Sequence, residues 1–348
     1  MSLLSFFGKN VGIDLGTTNI LFYLDKRGIV INEPTIVAYN SKTNKVLAFG
    51  NDARKMLDRA PAHINISKPL ANGVISDFEM TEEILKYFLK KIARDHSFMS
   101  FKRAVVSVPS NLTEVERKSV EDAVLSAGVF EVYVVDKCLA AALGARLPIN
   151  EPTASMVVDI GGGTTEIAII SMAGSVISKS LKVAGDKLND DIVRFVREEF
   201  KLAIGEPTAE EIKLNIGSAI PLQEKLEMSV RGRDLISGLP KEILIKDIQV
   251  RSAILKSLKI IVDSIREVLE GSPPELSGDI LKKGIYLCGG TSLLRGIEDL
   301  IQRELSVQIT KVEDPITCIA RGTGVILESL SKYLPILDNP LKPKDIRL

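Results

Sequence analysis

The chain is poor in cysteine: its 348 residues include only Cys138, Cys288 and Cys318, far apart and in apolar contexts. They lack metal-ligand spacing, and an odd, dispersed set fits a reducing cytosol better than a disulfide framework. An excess of either charge is also lacking. Lys and Arg together number 45, as do Asp and Glu, which argues against a general nucleic-acid binder, since such a protein needs a basic face. No stretch approaches the ~20 consecutive apolar residues of a membrane span. The apolar start, Met1 to Asn10, is too short for a signal peptide and has no cleavage-type tail, so the cytoplasm is the expected location. Core-forming material is plentiful. Hydrophobic residues make up 45% of the chain, and the length suggests roughly two domains.

One stretch organises the rest. Met156 to Ile160 is an apolar strand carrying Asp159, followed by Gly161, Gly162 and Gly163, then Thr164, Thr165 and a second apolar strand to Ile170. The glycines let the backbone bend sharply and aim several N–H groups at one point, and the threonines add hydroxyl donors. Such a turn suits a phosphate chain with a bound metal, and it also occurs as plain structure. Val11 to Leu24 is a second copy, with Asp14, Gly16, Thr17, Thr18 and Asn19 in the same order and one turn glycine in place of three. Two matching hairpins suggest a duplicated unit.

The remaining elements follow from punctuation and periodicity. Ile29–Ile31 continues a meander, with Thr35–Ala38 as a further strand. Residues 40–73 are broken by Gly50, Pro61 and Pro69, with a short helix expected near 51–58. Thr81 is expected to open a helix whose apolar face is Ile84, Leu85, Phe88, Leu89 and Ile92. Ala104–Val108 and Val132–Val135 are buried strands. Between them Thr113 and Glu116 form a capping box, with Gly128 beyond the helix end. A small-residue helix runs from Lys137 to about Arg146. This strand–helix alternation implies parallel pairing. After a linker at 148–152, the second hairpin and Val176–Leu181 form another meander. Asp186 begins a helix, and Thr208 with Glu211 reads as a second capping box. Residues 220–246 suggest a small sheet, and a long helix follows with Ile248, Ile254, Leu255, Leu258, Ile261, Val262, Ile265, Val268 and Leu269, ended by Gly271, Pro273 and Pro274. Gly284–Cys288 is a strand leading into Gly289, Gly290, Thr291 and Ser292, then a helix through Leu294 to Ile301. Asp314 and Pro315 are expected to cap a last helix reaching Ser329.

Asp14 and Asp159 each end an apolar strand. Facing one cleft, they would hold a hydrated Mg²⁺, which keeps several waters and uses carboxylates plus phosphate oxygens. The N–H groups of residues 15–19 and 161–164 would clamp two phosphates from opposite sides. The turn at Gly289–Ser292 would admit a nucleoside and its first phosphate.

In that order, these motifs resemble the two phosphate loops and the adenosine loop of the actin-like ATPase superfamily, which includes actin, sugar kinases and heat-shock chaperones. Within it the chain is similar to the MreB family of bacterial actins over nearly its whole length. The strings that carry the likeness are Ile13–Asn19, Asn32–Pro34, Val108–Ser110, Thr113–Arg117, Val157–Glu166, Pro273–Leu276 and Asp314–Cys318. The resemblance implies an α/β actin-like fold: two duplicated domains, each a mixed sheet flanked by helices with a small subdomain, around a nucleotide cleft. The matching boundaries are 1–33, 74–146 and 315–335 for subdomain IA, 34–73 for IB, 147–181 and 246–314 for IIA, and 182–245 for IIB, with 336–348 as a flexible tail. It also implies ATP and Mg²⁺ as ligands, Glu210 and Lys213 near ribose and base, and assembly with itself into double filaments. Those filaments would lie at the inner face of the membrane, with other MreB paralogues as further partners and nucleic acid not among them. Phe98 and Met99 match the place of the family's membrane-inserting loop, and Leu3, Leu4, Phe6 and Phe7 could add to it. Packing against the domain is the alternative for both segments.

One departure concerns chemistry. The family's small-residue helix opens with a glutamate that positions the attacking water, while Thr164 helps place it. Here Lys137 stands in the glutamate's place. A protonated lysine accepts no hydrogen bond, so hydrolysis is expected to be slow, with Lys137 paired to the γ-phosphate instead. The alternative has Lys137 in solvent and Asp136 substituting. A soluble phosphotransferase is the competing class, and it would need an acid placed for an acceptor hydroxyl. A chaperone-like ATPase would need a peptide-binding region after the second domain. Neither feature is evident.

Overall fold

Five strands carry each of two units in the computed structural model, which describes residues 8–98 and 100–337. In the first unit the sheet order is Val129–Asp136, Phe101–Val108, Lys9–Leu15, Asn19–Leu24, Gly28–Pro34. In the second it is Ile309–Lys311, Ile285–Cys288, Ser155–Ile160, Thr165–Ser171, Gly174–Leu181. The two orders are the same. Three antiparallel strands form a meander, and two parallel strands are added beside the first of them. The duplication inferred from the two hairpins therefore extends through the whole sheet.

Each sheet has its own core. Ile13, Phe22, Phe88, Val106 and Val124 pack in the first, and Met156, Ile167, Leu188, Ile254 and Ile265 in the second. A third core joins them under the cleft. There the Lys137–Gly144 helix packs on the Cys318–Glu328 helix together with Val157, Ala168 and Cys288 of the second unit. The two helices cross with their backbones touching. A Cβ at Gly144 would lie 1.9 Å from the Cys318 carbonyl oxygen, and one at Gly322 would lie 1.7 Å from that of Ala140. Small residues permit this approach, and the helix bearing Lys137 is pinned as a result.

Several expected boundaries are corrected. The helix through Ile84 spans Phe78–Asp95 and is capped by Asp77, whose carboxylate accepts from the Met80 amide at 3.1 Å. Thr81 lies inside it, its hydroxyl bonded to the Asp77 carbonyl. The capping box at Thr113 and Glu116 is present, but Thr208 caps nothing: that helix spans Glu206–Ile216 from Gly205, with Pro207 in its first turn. Proline fixes a helical φ and lacks an N–H that would go unbonded there anyway. The short helix is Gly50–Arg54, flanked by strands Val37–Asn40, Lys45–Phe49 and Ile64–Ser67 in a separate small sheet. The long helix is Asp247–Glu270, with Ile248 and Leu255 on its exposed side. Pro274 starts a further helix to Lys283. After Gly290–Leu293, a 3₁₀ turn, the next helix is Ile297–Leu305 and begins beyond Leu294. Thr317, not Asp314, precedes the helix Cys318–Glu328.

Candidate functional site

A cleft of about 400 Å³ opens between the units, within the ~300–1,000 Å³ usual for small-molecule sites. Of the residues singled out in the sequence, Asp14, Gly16, Thr17, Thr18, Asn19, Lys137, Asp159, Gly161, Gly162, Gly163, Thr164, Glu210, Lys213, Gly289, Gly290 and Thr291 all line it. Ser292 does not. It lies behind the wall, where its hydroxyl donates to the Gly289 carbonyl at 2.6 Å.

Asp14 and Asp159 occupy equivalent places, each one residue before the end of its unit's first strand. In register their parallel neighbours are Ser107 and Cys288. The Ser107 hydroxyl donates to Asp14 Oδ1 at 2.8 Å, and the Cys288 thiol approaches Asp159 Oδ1 at 3.7 Å. Burial pushes the Asp159 carboxyl up to about 7. Lys137 opposes that rise, while Asp14 and Glu166 add to it. Glu166 pairs in register with Asp159 and is fully buried, accepting from the Ser180 hydroxyl at 2.7 Å. Burial pushes its carboxyl up as well.

Lys137 is the first residue of its helix and only 5% exposed. Its Nζ lies 3.6 Å from Asp14 Oδ1. Burial alone would drive its ammonium down, but the charges of Asp14, Asp159 and Glu166 outweigh this and hold it above the ordinary lysine value. Asp136 faces the backbone, where Oδ1 accepts from the amides of Cys138 at 2.7 Å and Leu139 at 3.3 Å. The alternative with Lys137 in solvent and Asp136 in the cleft is therefore overturned: the carboxylate is spent as a helix cap, and the lysine lines the cleft.

The two glycine turns face and touch each other. A Cβ at Gly162 would lie 1.7 Å from Thr18 Oγ1, and one at Gly163 would lie 2.6 Å from Thr17 Oγ1. Here glycine is required for space, as any side chain would wedge the two turns apart. Thr17 Oγ1 accepts from the Gly73 amide at 2.9 Å, and Thr35 Oγ1 donates to the Gly16 carbonyl at 2.8 Å, which ties the first turn to neighbouring loops. At the other end, Gly289 has φ +83°, and Thr291 Oγ1 donates to the Gly161 carbonyl at 2.7 Å. Lys213 Nζ donates to Glu210 Oε2 at 2.7 Å and to the Gly185 carbonyl at 3.0 Å, and Asn189 also donates to Glu210. Burial works to raise Glu210, but Lys213 and Asn189 hold it below its usual range.

Sequence reasoning missed several charged residues of the wall, among them Arg54, Lys68, Asp186, Glu206 and Arg295. Lys68 Nζ meets Glu206 Oε2 at 2.6 Å across the mouth. These residues come from distant segments and carry no local motif. Gly185 also lines the cleft, where a Cβ would sit 2.6 Å from Thr291 Oγ1.

Asp14 and Asp159 are the carboxylates that a hydrated Mg²⁺ arriving with phosphate oxygens would use through water. Among the described residues no group of three or more His, Cys, Asp or Glu is arranged to hold a metal by itself, and the Lys137 ammonium already supplies a cation beside Asp14. The Phe98 ring packs edge-on against Phe101 at 4.9 Å and is half-buried in the first unit. Met99, the N-terminal Leu3, Leu4, Phe6 and Phe7, and most of the expected tail lie outside the described residues. Among the described residues no helix is long and apolar enough to cross a membrane.

The chain is similar to known proteins over nearly its whole length. The sequence pattern of the MreB/Mbl protein family matches residues 8–334. The cell shape-determining protein Mbl of Bacillus subtilis is 44% identical over 326 residues, covering 94% of this chain and 98% of that protein. The cell shape-determining protein MreB of Escherichia coli K12 is 41% identical over 331 residues, with 94% and 95% covered. Among solved structures, MreB5 of Spiroplasma citri bound to ADP superposes with a TM-score of 0.90 at 36% identity, covering 94% of this chain and 99% of that one. The MamK double helical filament superposes at 0.78 with 22% identity, a likeness of fold. With the duplicated sheets, the facing glycine turns and these matches together, the chain belongs to the MreB/Mbl family and has its actin-like fold.

Proposed function

We propose that this protein binds ATP in the cleft between its two units, assembles with itself into actin-like filaments, and hydrolyses the nucleotide slowly. The observation that carries this reading is the placement of Lys137 in the same cleft as both glycine turns. Amides and hydroxyls of the turns suit the β- and γ-phosphates. The Gly289 turn, Glu210 and Lys213 form the end suited to the nucleoside. The solved MreB5 structures, bound to ADP and to AMPPNP, support a nucleotide in this place. Asp14 and Asp159 would hold Mg²⁺ through water, where it would supply positive charge to the phosphates.

Hydrolysis needs an acceptor to orient the attacking water. Lys137 offers donors only, and Asp136 is occupied as a cap. Thr164 keeps a hydroxyl at the cleft wall. Losing a water-positioning group costs on the order of 10²–10⁴-fold, the scale of general-base contributions. The relatives named for cell shape support a cytoskeletal role for the filament, in shape or shape-linked movement, with other MreB paralogues as co-assembling partners and the inner face of the membrane as its location. Membrane contact rests on the family likeness, and the half-buried Phe98 ring lies against Phe101. Pelleting with and without ATP, followed by electron microscopy, tests the reading. ATP-dependent filaments are expected. A protein that stays monomeric at high concentration with ATP would refute the filament.

A further inference from the structure

We propose that Lys137 is a built-in counter-ion for the triphosphate and relieves this site of most of its dependence on a divalent cation. The inference rests on the nucleotide reading above and concerns the charge of the same cleft.

Lys137 puts a fixed positive charge beside Asp14 in the cleft, and a glutamate at the same position would differ from it by two units, the charge that one divalent cation brings. The ammonium is also in the right neighbourhood. Its Nζ lies 3.6 Å from Oδ1 of Asp14, one of the two acids that would otherwise hold the metal, and it lines the cleft with Asp159 and Gly161–Thr164. A metal held through water beside these acids would meet a like charge already in place.

The position of that charge is fixed. Lys137 begins a helix whose first turn is capped by Asp136. The helix backbone touches the Cys318–Glu328 helix at Gly144 and Gly322, leaving no room to slide. The side chain is almost wholly withdrawn from water. A cation that is anchored and dehydrated before the ligand arrives loses little freedom on binding, whereas a free ion must be captured and partly stripped of water. An ammonium has three donors, and Asp14 is its one ion-pair partner among the described residues, so donors remain for phosphate oxygens. The other lysines of the wall are otherwise engaged. Lys68 is paired with Glu206, and Lys213 with Glu210 and the Gly185 carbonyl, at the mouth and at the nucleoside end.

Equilibrium binding of ATP to the full chain, measured by calorimetry in Mg²⁺ and in EDTA, tests the proposal. The wild type should bind in EDTA within about threefold of its affinity in Mg²⁺, and Lys137→Glu should lose at least about thirtyfold on removal of Mg²⁺, tenfold being ~1.4 kcal/mol. A wild type that loses more than tenfold in EDTA overturns the proposal while leaving the nucleotide site in place. A Lys137→Glu protein with the same small dependence on Mg²⁺ as the wild type overturns it too, because the lysine is then not the cause. Binding in neither buffer removes the nucleotide reading itself and the proposal with it. Should Lys137→Glu fail to fold, the wild-type comparison still decides, and Lys137→Met supplies the variant arm with a smaller change of charge.

Discussion

Replacing Asp159 with asparagine should stabilise the nucleotide-free protein, and the gain should grow with pH. The Asp159 carboxyl is pushed up to about 7 from an ordinary 3.8, chiefly by burial. Between those two values the folded chain holds a proton that the unfolded chain has released. Stability therefore falls as pH rises through the window, by about 1.4 kcal/mol per unit. From about pH 5 to about pH 7 the loss comes to roughly 2 kcal/mol, the slope halving as the folded value is reached, against the ~5–15 kcal/mol that holds a domain together. Asparagine has nearly the same shape and does not titrate, so the variant should lack this slope. The assay is urea unfolding of wild type and Asp159→Asn in EDTA at several pH values across the window. The difference in stability should widen by about 2–4 kcal/mol toward neutral pH. Two curves that stay parallel would show that Asp159 is not held protonated by its surroundings. The physical content is that a ligand site is built at the expense of the empty fold: two buried acids next to a third are tolerated because a bound ligand's partner charges, or Lys137, offset them.

Other substitutions follow from the same geometry. Gly162→Ala drives a methyl into Thr18, so it should abolish measurable ATP binding in calorimetry while leaving the far-ultraviolet circular dichroism unchanged. Gly144→Ala places a Cβ against the Cys318 carbonyl where two helices touch. It should cost about 1–3 kcal/mol or more in urea unfolding, the range for overpacking. Lys213→Met leaves Glu210 without its ion pair and should weaken ATP binding about tenfold or more, an effect of the order expected when one member of a hydrogen-bonded charge pair is removed. Thr113→Ala removes one half of a capping box and should cost about 1 kcal/mol, with no change in nucleotide affinity.

The parts of the fold most legible in the sequence were those with local chemistry. The two hairpins are legible because glycine beside paired threonines marks a sharp turn, and Gly162 and Gly163 leave room for the Thr18 and Thr17 side chains of the facing turn. The box at Thr113 could be read because its partner Glu116 sits three residues on and nothing nearby competes. At Thr81 a better cap was available, since Asp77 offers a carboxylate to the Met80 amide. At Thr208 the proline one residue earlier sets the start of the helix. Pro273 and Pro274 end one helix, and Pro274 also begins the next, since proline suits a first helical turn. Ile248 and Leu255 are exposed on a helix whose buried face is set by Val250, Ile254, Leu258, Ile261 and Ile265, and a list of its apolar residues alone does not separate the two faces.

The site divides in the same way. Its glycines, threonines and strand-end acids are visible in the sequence, as is Lys137 at the head of the small-residue helix. Its outer charged wall, with Lys68, Asp186 and Glu206, was not, because those residues meet only after the two units have folded onto each other. Whether Lys137 or Asp136 faced the cleft also needed the structure: the sequence showed both residues, but only the cap on Cys138 and Leu139 shows that Asp136 is committed.

Lys137 is expected to let the cleft hold ATP while slowing its cleavage. The direct measurement is the identity of the bound nucleotide over time, with phosphate release recorded in parallel for wild type and Lys137→Glu in Mg²⁺. ATP should remain intact on the wild type, and the glutamate should raise release by about 10²-fold or more, within the range for a water-positioning acid. Brisk release by the wild type, unchanged in Lys137→Glu, would contradict the account.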